Sequence, residues 1–259
     1  MKTDCLLPIA VTLALSLAHG GCVDPESVPP ATRSAGGEAA ARRALVVVPY
    51  GAPDARRGDA VVHLFVEGAP TAGDACAAPA CVALRSGADG ALVAELAAGA
   101  RLAYRVMPDA SFVRTIASGA VVEPGAGPLR LHTVPRVVLA AMFRDAGVTA
   151  QDGRGHVAGV VRGADGAPLA GVVPRIVDDA GREITAGSLL VSPSDVPGAL
   201  TSGGTETSSS GRFAIVNLPP SGSLRVEVWR ASERIASERI PVEADALSIV
   251  SLRASEAAR

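Results

Sequence analysis

The chain has 259 residues and a formal net charge of -2, from 24 basic and 26 acidic side chains, so it lacks the basic surplus that nucleic-acid binding requires. Aromatic residues make up only 3% and Trp229 is the sole tryptophan, which argues against stacking platforms for single-stranded nucleic acid and, less strongly, for sugars. The length allows two small cores of about 95 residues each once a leader and linkers are set aside.

The N-terminus reads as an export signal. Lys2 gives a short basic start, and Leu6 to Leu17 (LLPIAVTLALSL) is an apolar run of signal-peptide length. It falls short of the roughly 20 residues that a spanning helix needs, and Pro8 interrupts it. The run ends in Leu17-Ala18-His19-Gly20-Gly21-Cys22.

Small residues directly before a cysteine resemble the lipobox of bacterial lipoproteins. The resemblance implies cleavage after Gly21 and a diacylglyceryl thioether on Cys22, with His19 standing where that family usually has Leu. Ordinary cleavage after Gly20 or Gly21 is the alternative, and it would leave a secreted protein. Val23, and not Asp, follows the cysteine, which by the same resemblance implies the outer membrane. Residues 22–43 carry Pro25, Pro29, Pro30 and Gly36-Gly37 with almost no large apolar side chain, the composition of a disordered tether.

After Arg43 strand signals dominate. Apolar, β-branched runs occur at Ala44–Pro49, Ala60–Glu67, Cys81–Arg85, Ala91–Leu96, Leu102–Met107, Phe112–Ile116 and Leu129–Val134, punctuated by Gly, Pro and Asp. Regular short strands of this kind predict a β-sandwich. Within this region lies Cys76-Ala77-Ala78-Pro79-Ala80-Cys81. Of the four cysteines, Cys5 goes with the signal and Cys22 is assigned to lipid; Cys76 and Cys81 remain and in an oxidising envelope are expected to pair, with free or redox-active thiols as the alternative. A zinc site would need further ligands, and no other Cys or His lies close by in sequence, so no metal and no cofactor are expected.

Residues 135–147 predict the one helix, with Pro135 in the first turn, Gly147 at the stop, and Val138/Met142 and Leu139/Phe143 paired at i,i+4. Strands resume at His156–Arg162, Leu189–Val191, Phe213–Leu218, Leu224–Trp229, Arg239–Val242 and Leu247–Leu252. Leu224, Val226 and Val228 alternate cleanly with Arg225 and Glu227. The two halves echo one another: Asp89-Gly90 to Val106 and Ser210-Gly211 to Val228 both run turn glycine, strand, Leu, small or Pro residues, strand.

The second half resembles the carboxypeptidase regulatory-like domain, a transthyretin-like β-sandwich. The resemblance is carried by Gly159 to Val172 (GVVRGADGAPLAGV) and by Ser210 to Pro220 (SGRFAIVNLPP), and it spans His156 to Arg253. Asp165-Gly166 is a hairpin turn pair. Pro174 is expected to interrupt the second strand, and Val191 to Ser210 to form a long polar loop.

No catalytic set emerges. His63, His132 and His156 have no metal-ligand spacing, the Ser208-Ser209-Ser210 run reads as a solvated turn, and Asp178-Asp179 as a hairpin tip. The expected architecture is all-β: a signal peptide (1–21), a tether (22–43), an Ig-like or transthyretin-like sandwich (44–133), a linker helix (134–153), a second sandwich (154–253) and a tail (254–259). The expected function is that of a non-enzymatic envelope lipoprotein, held to the membrane by lipid, that binds or scaffolds an envelope protein or polymer. The alternative is a periplasmic small-ligand carrier or sensor accessory with an interdomain site near the helix.

Overall fold

The structure, a computed structural model, describes residues 41–52, 54–66, 75–78, 80–122, 127–185, 187, 189–191 and 201–255. The signal sequence, Cys22 and nearly all of the tether lie outside this set. So do 192–200, the first part of the expected polar loop.

The first half runs β1 (Ala41–Pro49), β2 (Val61–Val66), β3 (Val82–Arg85), β4 (Ala91–Leu96), β5 (Arg101–Val106), β6 (Arg114–Val121) and β7 (Leu129–Thr133). Helix α1 (Arg136–Asp145) follows. The second half runs β8 (Gly155–Arg162), β9 (Val173–Val177), β10 (Leu189–Val191), β11 (Thr201–Ser202), β12 (Arg212–Leu218), β13 (Ser221–Arg230), β14 (Glu233–Val242) and β15 (Ala246–Arg253). Among the described residues no helix is long and apolar enough to cross a membrane. The protein is an all-β, Ig-like sandwich fold with a single described helix.

The strands form three sheets, in the orders β4-β1-β7, β11-β10-β12-β8-β15-β6-β5-β2-β3 and β14-β13-β9. The two halves repeat one arrangement. In β4-β1-β7 the central strand is antiparallel to β4 and parallel to β7. In β12-β8-β15 it is likewise antiparallel to β12 and parallel to β15. The remaining strands also correspond, β2-β5-β6 with β9-β13-β14, antiparallel throughout. The echo in the sequence is therefore a repeat in topology: β4 and β5 play the parts of β12 and β13.

What the sequence did not disclose is how the halves join. Strand β15 of the second half pairs in parallel with β6 of the first, Leu247 opposite Thr115 and Ile249 opposite Ala117, which fuses two sheets into one of nine strands. Side chains alternate across a strand, so the register fixes which face each core takes. Ile249 and Ala117 belong with the first-half core of Leu45, Val47, Val62, Leu64, Leu102, Tyr104 and Leu131. Val250 and Leu252, on the opposite face of β15, belong with the second-half core of Val157, Val161, Phe213, Ile215, Val226 and Ile240. The two cores thus lie on opposite faces of the shared sheet.

The first-half face of that sheet extends past the first-half core onto β8 and β12, and there it is covered. Helix α1 lies on the first-half side of β8 and β12, where Phe143 and Ala146 pack on Ala214, Val216 and Ala158. Leu139 also reaches Val113, Val134 and Leu247 at the seam between the halves. This explains why β12 is buried along nearly its whole length: Phe213 and Ile215 face the sandwich core while Ala214 and Val216 face the helix. The i,i+4 pair Leu139/Phe143 is the docking edge, and Val137 is 76% exposed.

Two expectations need correction. Pro174 does not break its strand; it sits inside β9, opposite Val228. β9 is the edge of its three-stranded sheet, where a residue without an N–H is tolerated. β1 also begins at Ala41, earlier than Ala44, because Arg42 and Arg43 continue the ladder with Glu95 and Ala94.

Candidate functional site

The three described histidines are dispersed. His132, on β7, is buried; its backbone N–H donates to the Tyr104 hydroxyl at 2.8 Å. Neither of its ring nitrogens has a hydrogen-bond partner among the described residues. Burial, aided by the charge on Arg130, holds its pKa down at about 4. Among the described residues no carboxylate hydrogen-bonds this ring, and its buried place on β7 is that of a packed side chain.

His156, on β8, is equally buried and packs edge-to-face on Phe143, with ring centroids 4.8 Å apart. Its Nδ1 accepts the backbone N–H of Asn217 at 3.2 Å. Burial lowers its pKa to about 4, with Asp245 opposing. Asn217 stands at φ +60 in an irregularity of β12. Its side chain accepts the Gln151 N–H and donates to the Thr149 carbonyl, both at 3.0 Å. This polar knot ties the exit of α1 to the sheet.

The other sequence candidates are also structural. Ser208 and Ser210 share a hydrogen bond within their own turn (Oγ to Oγ 3.0 Å). Next to them Thr207 is buried: its hydroxyl donates to the Leu169 carbonyl at 2.7 Å and accepts the Val172 N–H at 3.3 Å, pinning residues 201–210 to the β8–β9 connection. Asp178 accepts the Arg182 N–H at 2.9 Å and its Nε at 2.8 Å, closing the hairpin tip and holding the carboxyl below its usual pKa.

Two clusters that sequence reasoning did not anticipate stand out. The first is at the seam. Arg105 on β5 is fully buried and pairs with Glu243, which arrives from the β14–β15 turn; Arg114 on β6 meets the other Glu243 oxygen at 3.0 Å. All three lie on the second-half face of the shared sheet, beside an open recess of about 280 Å³ lined by Arg114, Pro220, Ser221, Gly222, Val242, Glu243 and Ala244. The expected interdomain site near α1 coincides with a face already filled by Phe143 and Leu139.

The second cluster surrounds the cysteines. Cys76 and Cys81 form a disulfide, with Cα atoms 5.1 Å apart. So short a loop contributes roughly 2 kcal/mol by restricting the unfolded chain. Cys81 packs with Phe65 and Ala103 on the outer face of β2 and β5, and Cys76 covers them. His63 shares that face of β2, two residues before Phe65, so its ring reaches the two sulfurs: the three potential donor atoms lie within 4.8 Å of one another. Arg105 is the cross-strand partner of His63 and stands 5.5 Å over the Phe65 ring. His63 precedes Cys76 along the chain by more than a local motif spans, and only the β2–β3 pairing brings it near.

No known family profile matches the chain, and no curated protein matches it; the likeness of residues 156–253 to the carboxypeptidase regulatory-like domain therefore stays with its motif residues. Solved structures similar in fold include the shaft pilin SpaA of Lactobacillus rhamnosus GG, at 12% identity over 83% of this chain and 98% of that one with a TM-score of 0.26. A minor pilin of Streptococcus agalactiae gives 13% identity over 82% and 96% with a TM-score of 0.26. The major pilin of Streptococcus pyogenes gives 8% over 83% and 98% with a TM-score of 0.25. The likeness is one of β-sandwich fold alone.

Proposed function

We propose that this chain is a non-catalytic cell-envelope lipoprotein, anchored through Cys22, whose folded part is a binding or scaffolding module for an envelope protein or polymer. The observation that supports this reading is the nine-stranded sheet shared by the two sandwiches. Two small domains on a hinge suit a clamp that closes on a ligand. A sheet that runs through both halves, with one core on each face and a buried ion cluster at the seam, suits a stiff body that presents surface at the end of a tether. The dispersed, buried histidines fit the same reading: His132 and His156 are committed to packing.

The test has two arms. Mass spectrometry of the protein from native membranes is expected to find an acylated Cys22 as the N-terminus, and Cys22→Ala to release the chain from the membrane fraction; retention of the variant would overturn the anchor. Cross-linking in intact envelopes is expected to give a defined adduct with a protein or polymer. A small molecule that co-purifies at the Arg114/Glu243 recess, with no adduct, would favour the carrier reading instead.

A further inference from the structure

We propose that Cys76, Cys81 and His63 form a redox-gated zinc site, closed to metal as the disulfide and opened by reduction. This goes beyond the scaffolding role and does not depend on it. The donors are those zinc prefers, two thiolates and an imidazole, and C-x₄-C lies within the ligand spacing found in structural zinc sites. In a tetrahedral site with Zn–S near 2.3 Å and Zn–N near 2.0–2.1 Å, donor atoms stand about 3.4–3.8 Å apart. Here every pair of donor atoms is already within 4.8 Å, so the ring nitrogen needs a shift of only about 1 Å on that comparison. The sulfurs must separate, and breaking their bond is what permits it.

The surroundings favour one order of events. Cys81 is buried and Cys76 is half-buried, so an incoming thiolate meets the Cys76 sulfur. A dithiol reductant attacks Cys76 Sγ, the disulfide breaks, and Cys81 leaves as a thiolate beside His63. The second thiol of the reductant then attacks the mixed disulfide, frees Cys76 and leaves the reductant as its own disulfide; two electrons and two protons pass to the protein. Zinc displaces those two protons and binds two thiolates and the neutral imidazole, with water as the fourth ligand on the side where Cys76 is open. The two thiolates balance the ion, and the nearby charge of Arg105 is met by Glu243. His63 and Cys81 are held by β2 and by the Phe65–Ala103 packing, so two of the three donors are in place before the metal arrives.

The experiment uses the full chain with Cys5→Ser and Cys22→Ser, so that only this pair can respond. The chain is reduced with a phosphine, titrated with zinc against a chromophoric competitor, and with cobalt as a spectroscopic probe. One equivalent of zinc in the reduced chain, none in the oxidised chain, and a sulfur-to-cobalt charge-transfer band are expected. His63→Ala and His63→Gln, each checked for native circular dichroism, are expected to weaken binding about a hundredfold or more while leaving the disulfide able to form. No uptake by the reduced chain, a cobalt spectrum without the sulfur band, or full affinity in a folded His63 variant would overturn the site.

Discussion

At the residue scale, the buried histidines give the fold a pH dependence of known sign. His132 and His156 have an ordinary value of 6.5 when unfolded and about 4 when folded. Above pH 6.5 both states are neutral and stability is full; as pH falls the unfolded chain takes up protons first, and stability is lost until the folded value is reached. Each histidine can contribute a slope of at most about 1.4 kcal/mol per pH unit, about 3 kcal/mol over the window. Urea midpoints are therefore expected to fall steadily between pH 6.5 and 4. His132→Leu is expected to flatten that slope and to raise stability by about 1 kcal/mol at pH 7, because it removes two buried nitrogens that lack partners among the described residues. A slope unchanged in the variant would show that His132 is not its source.

One glycine decides a turn at the same scale. Gly211 has φ +63, and a Cβ there would stand 2.3 Å from the Val161 carbonyl oxygen and 2.9 Å from the Leu169 nitrogen. Both are backbone atoms and cannot swing aside. Gly211→Ala is expected to cost about 3 kcal/mol, read as a lower urea midpoint at unchanged m-value. The matching Gly90, φ +76, would bring a Cβ to 3.0 Å from Arg56 Cβ and 3.1 Å from the Val47 carbonyl oxygen, tight but less so than at Gly211, so its alanine variant should lose less.

At the scale of elements, most strands were legible because their apolar residues alternate and Gly, Pro or Asp bounds them, as in Leu224 to Trp229. The helix was legible from Pro135 and Leu139/Phe143. Beside the joining of β15 to β6 and the ion cluster at the seam, three further features were not. Pro174 read as a breaker because a sequence does not say which strand is an edge. β12 carries apolar residues on both faces, and only the docked helix explains the second. His63 joins the cysteines across a strand pair, so the spacing rules that find metal ligands along a chain had nothing to register. The helix explanation is testable: Phe143 is almost fully buried and supports Ala214, Val216 and the His156 ring. Phe143→Ala is expected to cost about 3–4 kcal/mol and to raise amide exchange through α1 and β12 well before β1–β5.

At the scale of the whole molecule, the seam determines whether the two halves behave as one body. Parallel pairing of β15 with β6 supplies few backbone bonds, and the small cluster of Val113, Val134, Leu247 and Leu139 covers one side. The opposite side rests on Glu243 between Arg105 and Arg114, with Arg105 fully buried. Removing one member of a buried ion cluster costs about 3–5 kcal/mol, and Glu243 is the member that bridges the two arginines. That loss falls on the junction and spares both cores, so Glu243→Ala is expected to do more than lower stability. It should split a single cooperative transition into two in calorimetry, with the second-half core of Val226 and Ile240 and the first-half core of Leu64 and Tyr104 melting separately. Glu243→Gln, which keeps the shape and part of the hydrogen bonding, should fall between the two. A single transition displaced downward in both variants would mean that the shared sheet alone couples the halves, and the ion cluster would then be only a local support for β5 and β6.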